Sequence, residues 1–374
     1  MEQKRKKVYV GVSGGVDSSV ALALLKEEGY DVTGVFLKVW HPDFLSCDWR
    51  EERRSAMRVC ATLGVPFITL DCEAEYKKEV ADYMINEYRA GRTPNPDIFC
   101  NKYVKFGVFL NKAREMGADY IATGHYARID EGIMNNELGI INYKLHESVD
   151  QNKDQSYFLY TLNQEQLAHT LFPIGGMTKP EVRLLAKKYG LSTATKKDSQ
   201  GVCFLGKLDM KEFLSHYVDS KRGDVLDTSG EVVGYHDGAI FYTIGQRHGF
   251  TITKKGSDDP RFFVVSKNID HNTITVADKK SKNDVVYSIK EVVIKDLHII
   301  QGMPLDSKGI PWNKITCTVR IRYRQEKQKC VVKKKDDGWH VIFDLPQNGV
   351  AVGQSAVLYH DTECLGGGII EKTI

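Results

Sequence analysis

The 374-residue chain predicts an α/β protein: a doubly wound parallel sheet, then a small mostly β central unit, then a C-terminal β-barrel. Three observations predict this. Residues 1–210 alternate short apolar strands with helical stretches, the pattern of parallel strands joined by crossover helices. Residues 211–290 change to short alternating strands punctuated by turns. In residues 291–374 the stretch KITCTVRIRYRQEKQKCVVKKKDDGWHVIFDL alternates apolar and polar positions almost throughout, as strands curled around a small core do.

The elements follow in order. KVYVGV (7–12) reads as a strand and DSSVALALLKEEGY (17–30) as a helix, with Val20, Leu24 and Leu25 on its apolar face and Gly29 ending it. DVTGVFLKVW (31–40) is the second strand. A helix over 51–64, a strand over 66–71 and a long helix over 73–91 follow, then a helix over 105–117 and a strand over 119–129. Residues 153–191 read as helical, interrupted by Pro173 and Gly175–Gly176.

Composition excludes several classes. A net charge of +3 leaves the charge total uninformative about anionic partners. The longest apolar runs, such as VALALL (20–25), fall far short of the ~20 residues of a membrane span. The basic start MEQKRKK precedes only a short strand, unlike a signal peptide, so a cytoplasmic protein is expected, with monomer as the default state. Eight cysteines, at 47, 60, 72, 100, 203, 317, 330 and 364, include no CxxC pair, so no zinc site is expected.

The first functional signal is GVSGGVDSS (11–19). Small residues there let backbone N–H groups crowd around phosphate oxygens, and a helix N-terminus adds partial positive charge. The candidate residues are Gly11, Val12, Ser13, Gly14, Gly15, Val16, Asp17 and Ser18. Asp17 and Ser18 can cap the helix or hold a magnesium ion. No Gly-Lys-Ser/Thr ending follows, so this is not the P-loop. SGGVDS resembles the PP-loop of the ATP pyrophosphatases, with an adenine nucleotide alpha hydrolase-like fold. Those enzymes adenylate a substrate and release pyrophosphate. The plainer alternative is a tight strand–helix turn.

The second signal is TPNPDIFCNKYVKF (93–106). Asn95 suits an N-cap, Pro96 the first helical position and Asp97 the first turn, which places Cys100 on the same face as Asp97. The helix end favours a thiolate. Asp97 can exchange a proton beside it, although its own charge raises the thiol pKa. A second cysteine, Cys203, follows the polar loop Lys196-Lys197-Asp198 in TKKDSQGVCFLG.

Taken with AGRTPNPDIFCNKYVKF, ADYIATGHYAR, NKDQSYFLYTL, YTIGQRHG, RIRYRQ and GQSAVLYHDTECLGGGII, these motifs make the chain resemble the tRNA-specific 2-thiouridylases over nearly its whole length. The resemblance implies that ATP, with Mg2+, adenylates the C2 oxygen of the wobble uridine in tRNAs for Lys, Glu and Gln. It implies that Cys203 carries a persulfide delivered by a sulfur-relay protein or a cysteine desulfurase. Cys100 then releases that sulfur, as hydrosulfide or through a Cys100–Cys203 disulfide, with Asp97 as acid/base. An alternative use of Asp97, Cys100 and Cys203 is as ligands of an iron–sulfur cluster.

The resemblance further implies ATP contacts at Leu37, after the second strand, and at Gly124. It implies base contacts at Asn95, Pro96 and Asp97, and tRNA contacts at His125, Lys153, Asp154, Gln155, Arg322, Tyr323 and Gln354. Independently, residues 311–340 hold nine Lys/Arg and three acids, an excess that suits a phosphate backbone; a solvated strand face is the alternative. Glu147-Ser148 and His248 depart from the family pattern, where a basic residue with glycine and a lysine are usual. Two other functions remain open at this level. Another PP-loop ligase or synthetase would need neither Cys100 nor Cys203, and a non-catalytic RNA-binding protein would not need an intact SGGVDS.

Overall fold

A computed structural model describes residues 5–44, 49–135, 140–197, 210–253, 261–278, 288–302 and 313–374. Seven strands occupy its first part: β1 (Lys7–Gly11), β2 (Asp31–Lys38), β3 (Phe67–Asp71), β4 (Tyr120–Ala122), β5 (Ala127–Asn135), β6 (Ile140–Glu147) and β7 (Thr170–Leu171). Five of these form a parallel sheet in the order β3-β2-β1-β4-β7. Apolar clusters cover both faces, with Val8, Val10 and Phe36 in one and Val35, Leu37 and Ile121 in the other. Burial on both faces is why these strands read as continuous apolar runs. The order turns outward from β1 in both directions, so a crevice opens at the carboxyl ends of β1 and β4.

Helix α1 (Val16–Glu27) follows β1, and Gly29 closes it at φ +88°, where the N–H groups of Gly29 and Tyr30 reach back to the carbonyls of Lys26 and Leu25. Helix α2 (Trp49–Leu63) covers the same face. Three expectations change. Residues 73–91 contain a π-helical segment, Lys77–Asp82, between two α-helical pieces. The strand expected over 119–129 breaks into β4 and β5, because Thr123–Tyr126 turn across the end of α1. Residues 153–191 hold a 3-10 turn (Ser156–Phe158), the short helix Gln164–Ala168, strand β7 and the helix Lys179–Lys188. Gly175 is required within this stretch, since a Cβ there would lie 1.7 Å from the Ala127 carbonyl oxygen.

The central unit is a five-stranded sheet over Gly223–Ala277, with Val225, Ile274 and Val276 in its core. The C-terminal unit is a barrel of six antiparallel strands. It closes because Ile289–Ile294 pairs with both Gly338–Gln347 and Glu363–Thr373, and Val319, Val341, Phe343 and Leu358 fill it. The β5–β6 hairpin extends this barrel's sheet: Leu145 of β6 pairs with Cys364 and His146 with Glu363. Among the described residues no helix is long and apolar enough to cross a membrane.

Where hairpin meets barrel, three charges are buried together and a fourth, on Lys327, is half-buried beside them. The Arg320 guanidinium bonds Asp154 at 2.9 Å and Glu147 at 2.8 Å, and Lys327 bonds Glu147 at 2.7 Å. Asp154 also accepts from the Ser148 N–H and the Ser156 hydroxyl. Such a network is stable only while every partner remains, because an unpaired charge in the interior retains its full desolvation cost. Arg320→Ala should therefore lower the free energy of unfolding by about 3–5 kcal/mol. Urea titration checks this, and a loss below about 1 kcal/mol would mean that the charges behave as a surface pair.

Candidate active site

The loop from β1 into α1 has the properties its small residues dictate. Gly14 sits at φ +76°, and a Cβ on it would lie 2.6 Å from the Glu52 carbonyl oxygen. Gly15 takes the N-cap position in extended conformation with no side-chain cap, so the first-turn N–H groups of α1 lack the partner that a cap supplies. Ser13 is exposed, and its N–H donates to the Ser18 hydroxyl at 3.2 Å. The Ser18 and Ser19 hydroxyls donate back to the Gly15 carbonyl, which fixes the loop from within. Val12 and Val16 are buried, with the Val12 N–H bonded to Val35. Gly11 ends β1. Leu37 lies within β2 rather than after it and is buried.

Two lysines reach this loop, Lys179, which the sequence reading missed, and Lys196, which it placed only beside Cys203. Lys179, buried at the start of its helix, donates to both carboxylate oxygens of Asp17 at 2.7 and 2.8 Å. Lys196 donates to the Gly14 carbonyl at 2.9 Å. Neither has a local sequence signal, because each arrives from more than 160 residues away. The Tyr126 hydroxyl is a second donor to Asp17, at 2.8 Å. Asp17 therefore neither caps α1 nor presents a free carboxylate to a metal ion.

The turn after β4 connects this loop to the cysteine-bearing helix. A Cβ on Gly124 would lie 2.5 Å from the Ser18 nitrogen and 2.7 Å from the Asp17 carbonyl carbon, so only glycine lets the two backbones meet there. His125 is buried between the rings of Phe106 and Phe172. Burial, together with the nearby Lys105 ammonium, holds its pKa well below 6.5. The ring is neutral: Nε2 accepts from Lys105 Nζ at 3.2 Å, which leaves Nδ1–H to donate to the Thr123 hydroxyl at 2.7 Å. Tyr126 exchanges two bonds with Gln155, N–H to Oε1 at 3.0 Å and carbonyl to N–H at 2.8 Å.

The cysteine element begins as expected, with Asn95 at the N-cap in extended conformation, Pro96 at the first position and Asp97 in the first turn. The Asn95 side chain makes no capping bond. The α-helix lasts only through Phe99, and a π-helix runs from Cys100 to Phe109, the kind of widened turn that recurs at functional sites. Asn95, Pro96 and Asp97 are half-buried, whereas Cys100 is 0% exposed and packed in the core with Ile98 and Val104. Cys203 and Asp198 lie outside the described residues, so neither the Cys100–Cys203 pairing nor the cluster-ligand alternative is described. Among the described residues no three His, Cys, Asp or Glu side chains group as metal ligands.

The remaining predicted contacts lie where segments meet. Lys153 is half-buried beside the Asp154 network. Tyr323 packs on Phe158 with ring centroids 4.5 Å apart. Arg322 donates to the Ile244 carbonyl of the central unit, and burial holds its pKa below the usual range. Gln354 donates to the carbonyls of Thr93 and Pro94.

Residues 6–207 match the tRNA methyl transferase HUP domain family, 211–278 the tRNA methyl transferase PRC-barrel domain and 290–370 the aminomethyltransferase beta-barrel domain. The tRNA-specific 2-thiouridylase MnmA of Bacillus velezensis is 46% identical over 368 residues, covering 98% of this chain and 95% of that protein. The protein of the same name from Proteus mirabilis is 45% identical over 382 residues, covering 100% and 99%, and that of Streptococcus thermophilus is 43% identical over 374 residues, covering 99% and 96%. The domain labels speak of methyl transfer, but the full-length relatives span all three units in one alignment and are the more specific match. The chain belongs to the tRNA-specific 2-thiouridylase MnmA family.

Proposed function

We propose that this protein uses ATP to convert the C2 oxygen of a tRNA uridine into an adenylate and replaces it with sulfur, giving 2-thiouridine, AMP and pyrophosphate. The observation that carries the reading is the Gly124–Tyr126 turn. It touches the phosphate-type loop through Gly124 and Tyr126 and the cysteine-bearing helix through His125, so an activating site and a thiol-bearing helix are joined through one turn.

The loop fits a triphosphate. Uncapped N–H groups at the α1 N-terminus within Gly11–Ser18 and the Lys196 ammonium beside Gly14 offer donors and positive charge to phosphate oxygens, while Lys179 offsets the charge of Asp17. Leu37 and Gly124 flank the same crevice. Mg2+ would travel with the nucleotide, but Asp17 is already bonded to Lys179 and Tyr126, and no step here relies on that carboxylate as a ligand. Asn95, Pro96 and Asp97 form the half-exposed edge for a uridine turned out of its stack. Lys153, Gln155 and Tyr323 would meet the tRNA, Tyr323 from its packing on Phe158, whose carbonyl accepts from Asn101 of the cysteine-bearing helix. Lys314, Lys329, Lys333 and Lys334 on two neighbouring barrel strands supply charge for the phosphate backbone.

Sulfur arrives as a Cys203 persulfide, loaded by a relay protein or a desulfurase. Its terminal sulfur attacks C2 while the Cys100 thiolate attacks the Cys203 sulfur. A C–S bond and a Cys100–Cys203 disulfide form, the sulfur–sulfur bond of the persulfide breaks, and AMP leaves with the C–O electron pair. Asp97 accepts the Cys100 proton. An external thiol then reduces the disulfide by exchange. Since Cys100 is buried, this chemistry requires the packing around Asn95–Asp97 to open when tRNA binds.

Labelled sulfur from cysteine, delivered through a cysteine desulfurase, should pass to unmodified tRNA only with ATP, and Cys100→Ser and Cys203→Ser should each lower the rate by about a hundredfold or more. Equal thiolation by all three proteins would sink the mechanism. Gly124→Ala forces a methyl against the Ser18 nitrogen, so tRNA-dependent pyrophosphate release should fall about tenfold or more at unchanged helical content. A wild-type rate in that variant would show that the backbone contact does not shape the site.

A further inference from the structure

The entry to the Asn95–Cys100 element is held by the barrel. The Thr93 N–H donates to the Val352 carbonyl at 2.8 Å, and the Gln354 amide donates to the carbonyls of Thr93 at 2.9 Å and Pro94 at 3.3 Å. Pro94 has no N–H, so these bonds engage each backbone polar group of the two residues. Gly353 makes the approach close enough: its φ is +93°, and a Cβ there would lie 2.9 Å from Thr93 N, C and O alike. On the other side, the Thr93 hydroxyl lies 3.3 Å from that of Thr243 in the central unit. Thr93 is buried, so water cannot replace these partners. The barrel turn is itself anchored to its last strand, with Gly353 N–H on Ile370 at 2.9 Å and Ile370 N–H on Gln354 at 2.8 Å.

Resting on the thiolation reading above, we propose that Gln354 is a positioning residue. Its amide fixes the start of the Asn95–Cys100 element to the barrel, so that barrel-bound tRNA and the reacting thiol share one frame. A residue that only touched tRNA would act on affinity. A residue that places Asp97 and Cys100 acts on the rate once tRNA is already bound, because misplacing a reacting group by about 1 Å is costly.

Two variants separate these roles. Gln354→Met keeps the length of the side chain and removes the donor, whereas Gln354→Lys retains an N–H donor for both carbonyls. Single-turnover thiolation at saturating tRNA and ATP is measured with each, alongside tRNA Kd by filter binding and melting temperature. Gln354→Met should thiolate about tenfold or more slowly at saturation with Kd within about twofold of wild type, and Gln354→Lys should recover most of the rate. A wild-type rate at saturation in Gln354→Met, with or without weakened tRNA binding, overturns the proposal. So does an equal loss of rate in both variants. If the wild-type enzyme thiolates no tRNA at all, the function itself falls and this inference with it. If wild type is active and Gln354→Met matches it, only the positioning role falls.

Discussion

The site depends on one backbone-to-backbone contact, that of Gly124 against the first turn of α1. Any side chain larger than hydrogen at residue 124 would meet the Ser18 nitrogen at 2.5 Å. The turn after β4 can therefore lie flat on the mouth of the crevice, and its neighbours act in opposite directions from there. Tyr126 reaches the Asp17 carboxylate, whereas His125 turns into the core beside Phe106 of the π-helix. The distance between the β1–α1 loop and the Cys100 helix is thus set by packed backbone and aromatic rings, which do not flex as a surface loop does.

A second constraint is the sharing of one sheet between units that the sequence separates by about two hundred residues. The β5–β6 hairpin leaves the parallel sheet and pairs with the barrel's last strand. Arg320 and Lys327, both in the basic stretch, approach it with positive charge, and burying two cations against a neutral or basic hairpin would be prohibitive. Glu147 resolves this by pairing its carboxylate with both cations. Asp154, implied as a tRNA contact, uses its carboxylate in the same network.

What was legible in the sequence was local. The β1–loop–α1 unit, the cap positions at Asn95 and Pro96 and the stop at Gly29 are each decided by residues within one turn of one another. What was not legible depended on distant pairing. Nothing in KPEVR announces that Lys179 reaches Asp17, and nothing in ADYIATGHYAR shows that the strand breaks at Gly124 and resumes in another sheet. The π-helix from Cys100 also escaped notice, because apolar spacing at Val104, Phe106 and Phe109 accommodates either helical period. The inward-facing contacts of Arg322 and Gln354 were hidden for the same reason: a polar residue in a turn beside a strand looks solvent-facing until its partner is known.

The burial of Cys100 sharpens the chemistry. A thiol near a helix start reads as reactive, yet a fully buried sulfur is shielded from water and oxidants as well as from substrate. The proposed reaction benefits from both facts, since a persulfide or an adenylate exposed to solvent would be lost to reduction or hydrolysis. The element is tied at Thr93–Pro94 to the barrel and, past the cysteine, at Asn101 to the Phe158 carbonyl. Between those ties Asn95, Pro96, Asp97 and Phe99 are half-exposed. A base entering there meets the helix end first, and the sulfur becomes reachable only as the same residues shift, which couples access to the thiol to the presence of its substrate.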